Sequence, residues 1–147
     1  MAKGEDLTVE WRQFDDIPAP LLYELLRFRQ AIFVVEQKSP YEDLDTRDHG
    51  ASHLLLRIDG QLAGYLRVIP EKGLIRIGRV AVAPAHRGRG LARKMMEAAF
   101  ARHPDTAVAI SAQTYLAPFY TSLGFTPTSP EYDDTGVPHI DMVRPGS

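Results

Sequence analysis

Apolar positions change their period several times along the chain, and each change marks an element. Residues 8–12 alternate weakly and predict a short strand. Asp15 and Asp16, followed by Pro18 and Pro20, form a helix-opening signal. Leu21, Leu22, Leu25, Leu26, Phe28, Ile32 and Phe33 then recur at helical spacing, so a helix is expected to about residue 34 or 35. The stretch QKSPYEDLDTRDHGA (37–51) is polar and rich in turn formers, although its acids at 42, 43 and 45 can hold a helical turn. Two apolar runs, 53–58 and 62–69, flank Asp59-Gly60, a strong hairpin signal. Glu71-Lys72-Gly73 turns the chain into a third run rich in β-branched residues, 74–82, which Pro84 ends.

Within 88–102, Leu91, Met95, Met96, Ala99 and Phe100 return to helical spacing. Residues 108–111 read as a short strand, and 116–123 as a short helix stopped by Gly124. Phe125 and residues 137–143 supply the final strand material. The order β-α-β-β-β-α-β-α-β is a mixed α/β (α+β) layout in one domain spanning residues 1–147. The tails 1–6 and 144–147 are expected to fray. Trp11, Phe28, Phe33, Met95 and Met96 are expected in the core; His53 suits a core strand and His86 a loop.

Composition narrows the chemistry. With 44% hydrophobic and 24% charged residues over 147 positions, one core suffices without staples. There is no Cys, which excludes disulfides, thiolate zinc sites and a cysteine nucleophile. Histidines 49, 53, 86, 103 and 139 lack metal-ligand spacing, so no metal is expected. The start MAKGEDLTVEW lacks the basic-then-apolar pattern of a secretory signal, so a cytoplasmic, membrane-free protein is expected. A formal net charge of −2 argues against general nucleic-acid binding.

Local charge says more than the total. Residues 76–102 carry seven basic side chains (Arg76, Arg79, Arg87, Arg89, Arg93, Lys94, Arg102) against Glu97 alone. Residues 36–48 carry five acids against Lys38 and Arg47. The first stretch suits an anion and the second can face a cation, although either is also satisfied as a solvated face.

Inside the basic stretch, Arg79-Val-Ala-Val-Ala-Pro-Ala-His-Arg-Gly-Arg-Gly-Leu-Ala92 runs from a strand end through a glycine-containing loop to a helix start. Unpaired first-turn amides, the positive end of the helix dipole and Arg87 and Arg89 together make a phosphate site. It is neither a P-loop, since no G-x-x-x-x-G-K-[ST] occurs, nor a Rossmann fingerprint, since Arg93 stands at the third glycine position.

Arg87-x-x-Gly90-x-Ala92 after a Val-Ala-Val strand resembles the R/Q-x-x-G-x-G/A signature of the GNAT superfamily of acyl-CoA transferases. Phe119-Tyr-Thr-Ser-Leu-Gly-Phe125 is similar to that family's short helix and final hairpin, so the resemblance spans roughly residues 8–143. Phe33-Val-Val-Glu-Gln37, Pro40-Tyr41, Asp45 and Pro138-His139-Ile140 resemble its ElaA-like branch. The resemblance implies a mostly antiparallel sheet with helices on both faces and an acetyl-CoA cleft between two diverging strands. In that cleft the backbone of Val80, Ala81 and Val82 would pair with pantetheine. The amides of Arg87, Gly88, Arg89, Gly90, Leu91 and Ala92 would hold the pyrophosphate. Gln113 stands where many relatives carry an Asn on the cofactor, and Ala92 replaces the commoner last Gly.

Without Cys, direct attack of an amine on the thioester is the economical mechanism, and the amine must first lose a proton. A strand amide near Val80 can stabilise the oxyanion. By family position Tyr120 is the acid that protonates the CoA thiolate; its alternative is a packed aromatic beside Phe119 and Phe125. Glu36, His139 or water can act as base, with Asp141 and Glu131 as poorer candidates. Glu36 is otherwise a solvated or capping charge, and His139 a half-buried strand residue. Arg79 can orient an acceptor carboxylate or form a structural ion pair with nearby acids. The expected partner is a small-molecule or peptide amine, and the acids of 36–48 favour a cationic one. Homodimers are frequent among such enzymes. The competing functions are a non-catalytic acyl-CoA-binding module and, less well supported, a nucleic-acid binder with steep salt dependence.

Overall fold

Strand β3 (Gln61–Glu71) alternates its side chains between two faces, and that alternation divides the molecule. The computed structural model describes residues 6–38 and 41–146. In chain order the elements are β1 (Leu7–Gln13), α1 (Ala19–Gln30), β2 (Ser52–Ile58), β3, β4 (Leu74–Val82), α2 (Leu91–Arg102), β5 (Ala107–Gln113), α3 (Ala117–Thr121), β6 (Thr126–Pro127), β7 (Tyr132–Asp134) and β8 (Val137–Arg144). Among the described residues the strands join in the order β1-β2-β3-β4-β5-β8-β6, with β7 beside β8. Every pairing is antiparallel except β4 with β5.

Helices cover both faces, as the resemblance implies. Leu91, Met95, Met96 and Ala99 of α2 pack with Leu54, Leu56, Leu66, Val68, Ile75 and Ile77. Burying each such side chain is worth roughly 1.5–3 kcal/mol, so this layer dominates the core. On the other face α1 sets Leu25 against Ile17 and Tyr65. Trp11 packs against the α2 layer and lies under the Arg102 guanidinium.

The hairpin expected at Asp59-Gly60 forms with φ of 52° and 82°, the two left-handed positions that such a turn needs. Four expectations are corrected. The first helix is regular only to Gln30 and continues as a wider-wound turn, Ala31–Glu36. Ile32, Val34 and Val35 are β-branched there and crowd a regular turn. No helical turn forms at 42–45, because Asp43 is drawn to Arg29 of α1 and Arg79 of β4, and Asp45 to Arg67 of β3. The hairpin β7–β8, turning at Thr135-Gly136, escapes the pattern because all of β7 is exposed and lacks apolar alternation. Arg144 belongs to β8 and donates from Nε to the Leu123 carbonyl, so this residue is held rather than frayed. Asp6 is likewise tied to Asp59. The expectations for residues 1–5, Pro40 and residue 147 lie outside the described residues.

Candidate active site

The parallel pairing of β4 with β5 lasts only from Leu74–Ala107 to Arg76–Ala109. Beyond it the two strands diverge, while β5 stays paired with β8 on its other edge from Val108–Arg144 to Gln113–His139. A register shift helps to open the wedge: Tyr65 faces Ala81 but Arg67 faces Gly78, which leaves an extra residue in β4. Arg79 sits in that bulge with φ of 53°, a left-handed conformation costly for a residue with a Cβ. The result is a cleft of about 940 Å³ walled by Val80, Ala81 and Val82 on one side and Gln113, Tyr120 and His139 on the other. Phe33, expected in the core, lines this cleft instead.

At the end of β4 the chain makes a short turn, Pro84–His86, and enters α2 through Gly88 and Gly90, with φ of 76° and 75°. Gly90 is the N-cap, and no side chain caps the helix, so its first amides have no partner within the helix. A Cβ built at Gly90 would meet nothing within 4 Å, so the space over these amides is open. The arginines are more committed than their sequence suggests. Arg87 donates from Nε to the Val82 carbonyl at 3.0 Å and holds Glu36 in a bidentate ion pair. Arg89 places Nη1 2.9 Å from His86 Nδ1, and Arg93 reaches Ser122 Oγ at 2.6 Å. The uncommitted donors at this helix start are therefore backbone amides, with the guanidiniums as flanking charge.

Tyr120 is 8% exposed and packs edge-on against Phe119 and Phe125, yet it reaches the cleft wall. Burial, assisted by Tyr115, pushes its phenol up to about 12, so it stays protonated at neutral pH. Tyr120 is thus a packed aromatic that also lines the cleft. His139 stacks on Tyr132 and places Nδ1 2.9 Å from the Val137 carbonyl. A carbonyl only accepts, so Nδ1 carries the hydrogen and the neutral ring keeps its Nε2 lone pair. Glu36 is exposed, and the Arg87 hydrogen bonds hold its carboxyl below the usual range. That engagement makes it a weaker proton acceptor. Asp141 accepts from Tyr132 and Ser111, while Glu131 lies outside the cleft.

One cluster escaped the sequence reading. Arg29 is fully buried and gives Nε to Asp43 at 3.0 Å, Nη1 to Asp48 at 2.7 Å and Nη2 to the Asp43 carbonyl at 3.0 Å. Arg67 binds Asp45 and Asp48, and Arg79 Nε lies 2.8 Å from Asp43 Oδ1. Hydrogen bonding from Arg67 holds Asp45 well below the usual carboxylate range. Burial would raise Asp48, but the Arg29 hydrogen bond and both guanidinium charges outweigh it and its carboxyl is lowered. Behind them His53 donates from Nε2 to the Asp48 carbonyl and accepts from the Tyr65 hydroxyl at 2.6 Å. The cation faced by the acidic segment is thus the protein's own arginine set, which overturns the expectation of a free acidic acceptor face. The only sequence signal was the charge balance between the two segments. Arg79 takes its structural ion-pair role.

Among the described residues no group of His, Asp and Glu could hold a metal ion, and no helix is long and apolar enough to cross a membrane. The family model of the acetyltransferase (GNAT) domain matches residues 25–144. Escherichia coli ElaA is 35% identical over 147 residues, covering 92% of this chain and 96% of its own. Its crystal structure superposes with a TM-score of 0.82, covering 93% of this chain and 99% of that one. An acyl-CoA N-acyltransferase from Pseudomonas aeruginosa is 37% identical, with a TM-score of 0.90 over 95% of this chain and 99% of that one. A Mycobacterium tuberculosis UPF0039 protein is 40% identical over 139 residues, covering 90% of this chain and 89% of its own. The diverging strands and the open helix start are thus those of an acyltransferase fold, and the chain belongs to the GNAT acetyltransferase family, in its ElaA-like branch.

Proposed function

We propose that the protein transfers an acetyl group from acetyl-CoA directly to an amine, without an acyl-enzyme intermediate. The observation that carries this reading is the β4–β5 wedge running into the uncapped start of α2. A wedge open on one side of β4 suits an amide-bearing pantetheine arm, and unpaired amides at a helix start suit a pyrophosphate. Val80, Ala81 and Val82 would hold the arm, the amides from Arg87 to Ala92 the phosphates, and Gln113 the arm's far side.

In this reading the amine attacks the thioester carbonyl after losing a proton to His139 Nε2, directly or through water. A β4 amide near Val80 stabilises the oxyanion. Collapse breaks the C–S bond, and Tyr120 protonates the departing sulfur. His139 is preferred to Glu36 because its acceptor nitrogen is uncommitted by the Val137 contact, whereas Glu36 is clamped by Arg87. Exchange with solvent restores both groups. The reaction is expected in the cytoplasm.

Isothermal titration should show acetyl-CoA binding that weakens with added salt. Gly90→Asp should weaken it about fivefold or more, since like charges near 4 Å repel by about 1–4 kcal/mol. Absence of binding up to millimolar acetyl-CoA, or equal binding by Gly90→Asp, removes the site assignment. Binding without turnover on any amine leaves an acyl-CoA-binding module.

His139→Ala should lower turnover with acetyl-CoA affinity unchanged. Native turnover in that variant transfers the role to water.

A further inference from the structure

We infer that the acceptor amine also carries an anionic group, a carboxylate or phosphate, held at the cleft rim by Arg47 and Arg76; this rests on the acetyl-transfer reading above. Both guanidiniums line the cleft, and both converge on a single carboxylate that does not line it, Glu71. Arg76 reaches Glu71 from Nε at 2.8 Å and from Nη2 at 3.2 Å, and Arg47 from Nη2 at 2.9 Å. Two cations against one anion leave a surplus positive charge at the rim. Neither side chain is buried, so each keeps N–H groups that can turn to a ligand.

The surplus is not cancelled from below. Beneath the rim, Arg29, Arg67 and Arg79 face Asp43, Asp45 and Asp48, three charges against three. Within that balanced layer Arg67 is 4% exposed, lines the cleft, and has an Nε with no hydrogen-bond partner. The opposite wall has the other polarity: Asp134 and His139, the group placed to receive a proton, both line it. A cleft with arginines on the β3–β4 side and a carboxylate with a histidine on the β7–β8 side fits an acceptor of two ends. Its amine points to His139 and its anion to Arg47 and Arg76. Guanidinium forks suit carboxylate and phosphate oxygens alike.

The test is kcat/KM at saturating acetyl-CoA for matched amine pairs: 6-aminohexanoate against hexylamine, and phosphoethanolamine against ethanolamine. Native protein should favour the anionic member of at least one pair by about tenfold or more, equivalent to one charge-assisted hydrogen bond. The two pairs separate carboxylate from phosphate. In Arg76→Leu and Arg47→Leu that ratio should fall toward one, while acetyl-CoA affinity by titration is unchanged. A merely structural role would lower both members together and keep the ratio, and that result overturns the assignment. Native protein that acetylates the members lacking the anionic group equally well or better overturns the inference and leaves acetyl transfer standing. Failure to bind acetyl-CoA overturns both.

Discussion

Tyr120→Phe protein should melt near the native temperature yet lose about 10²–10⁴-fold in kcat, the usual worth of a positioned general acid. The ring that packs against Phe119 and Phe125 is retained, so the core is undisturbed. Only the hydroxyl goes, and burial keeps that hydroxyl protonated and ready to donate at neutral pH. The loss should fall on kcat rather than on acetyl-CoA affinity, because the proton is needed only as the thiolate departs. A thioester of a less basic thiol should partly restore the rate. Tyr120→Phe protein that folds normally and keeps native kcat, where chemistry limits turnover, would reduce Tyr120 to a packing residue.

Arg29→Met should destabilise the fold by about 3–5 kcal/mol, the usual cost of leaving a buried charge unpaired. For a chain of this size that is a fall in Tm of roughly 10 °C or more. Asp43 and Asp48 lose hydrogen bonds deep in the structure, and the segment that carries them loses its hold on the sheet. Arg29→Lys, which keeps the charge but cannot make the three-pronged contact, should fall between the two. The same network sets the acid limit of the native protein. Asp45 and Asp48 have carboxyls lowered in the fold. Their stabilisation is therefore complete above the ordinary carboxylate range and is lost as pH falls below about 4. Arg29→Met should lose part of that acid dependence. A Tm within about 3 °C of native in thermal melts would show that the network contributes little.

The regular elements needed only local information. Asp59-Gly60 lies between two apolar runs and sets a hairpin, while Leu91, Met95, Met96 and Ala99 set the α2 stripe wherever the chain goes. The glycine loop before α2 was equally legible, because it is a strand end, two glycines and a helix start contiguous in sequence. Placement of Tyr120 and His139 on one cleft with Gln113 depended on motif resemblance, which periodicity alone does not supply.

What only the tertiary structure decided is the pairing of charges that lie far apart in the chain. Glu36 and Arg87 are 51 positions apart, and their ion pair turns a candidate base into a clamp beside the glycine loop before α2. Arg29 reaches Asp43 and Asp48, and Arg67 reaches Asp45 across 22 positions, so an acidic stretch becomes a neutral buried layer. The hairpin β7–β8 also waited for the fold, since its exposed first strand has no pattern to read. Hydrophobic period, turn residues and helix caps act between neighbours and are written in order along the chain. Ion pairs depend on which surfaces the collapsed sheet brings within a few ångströms, and no local pattern states that.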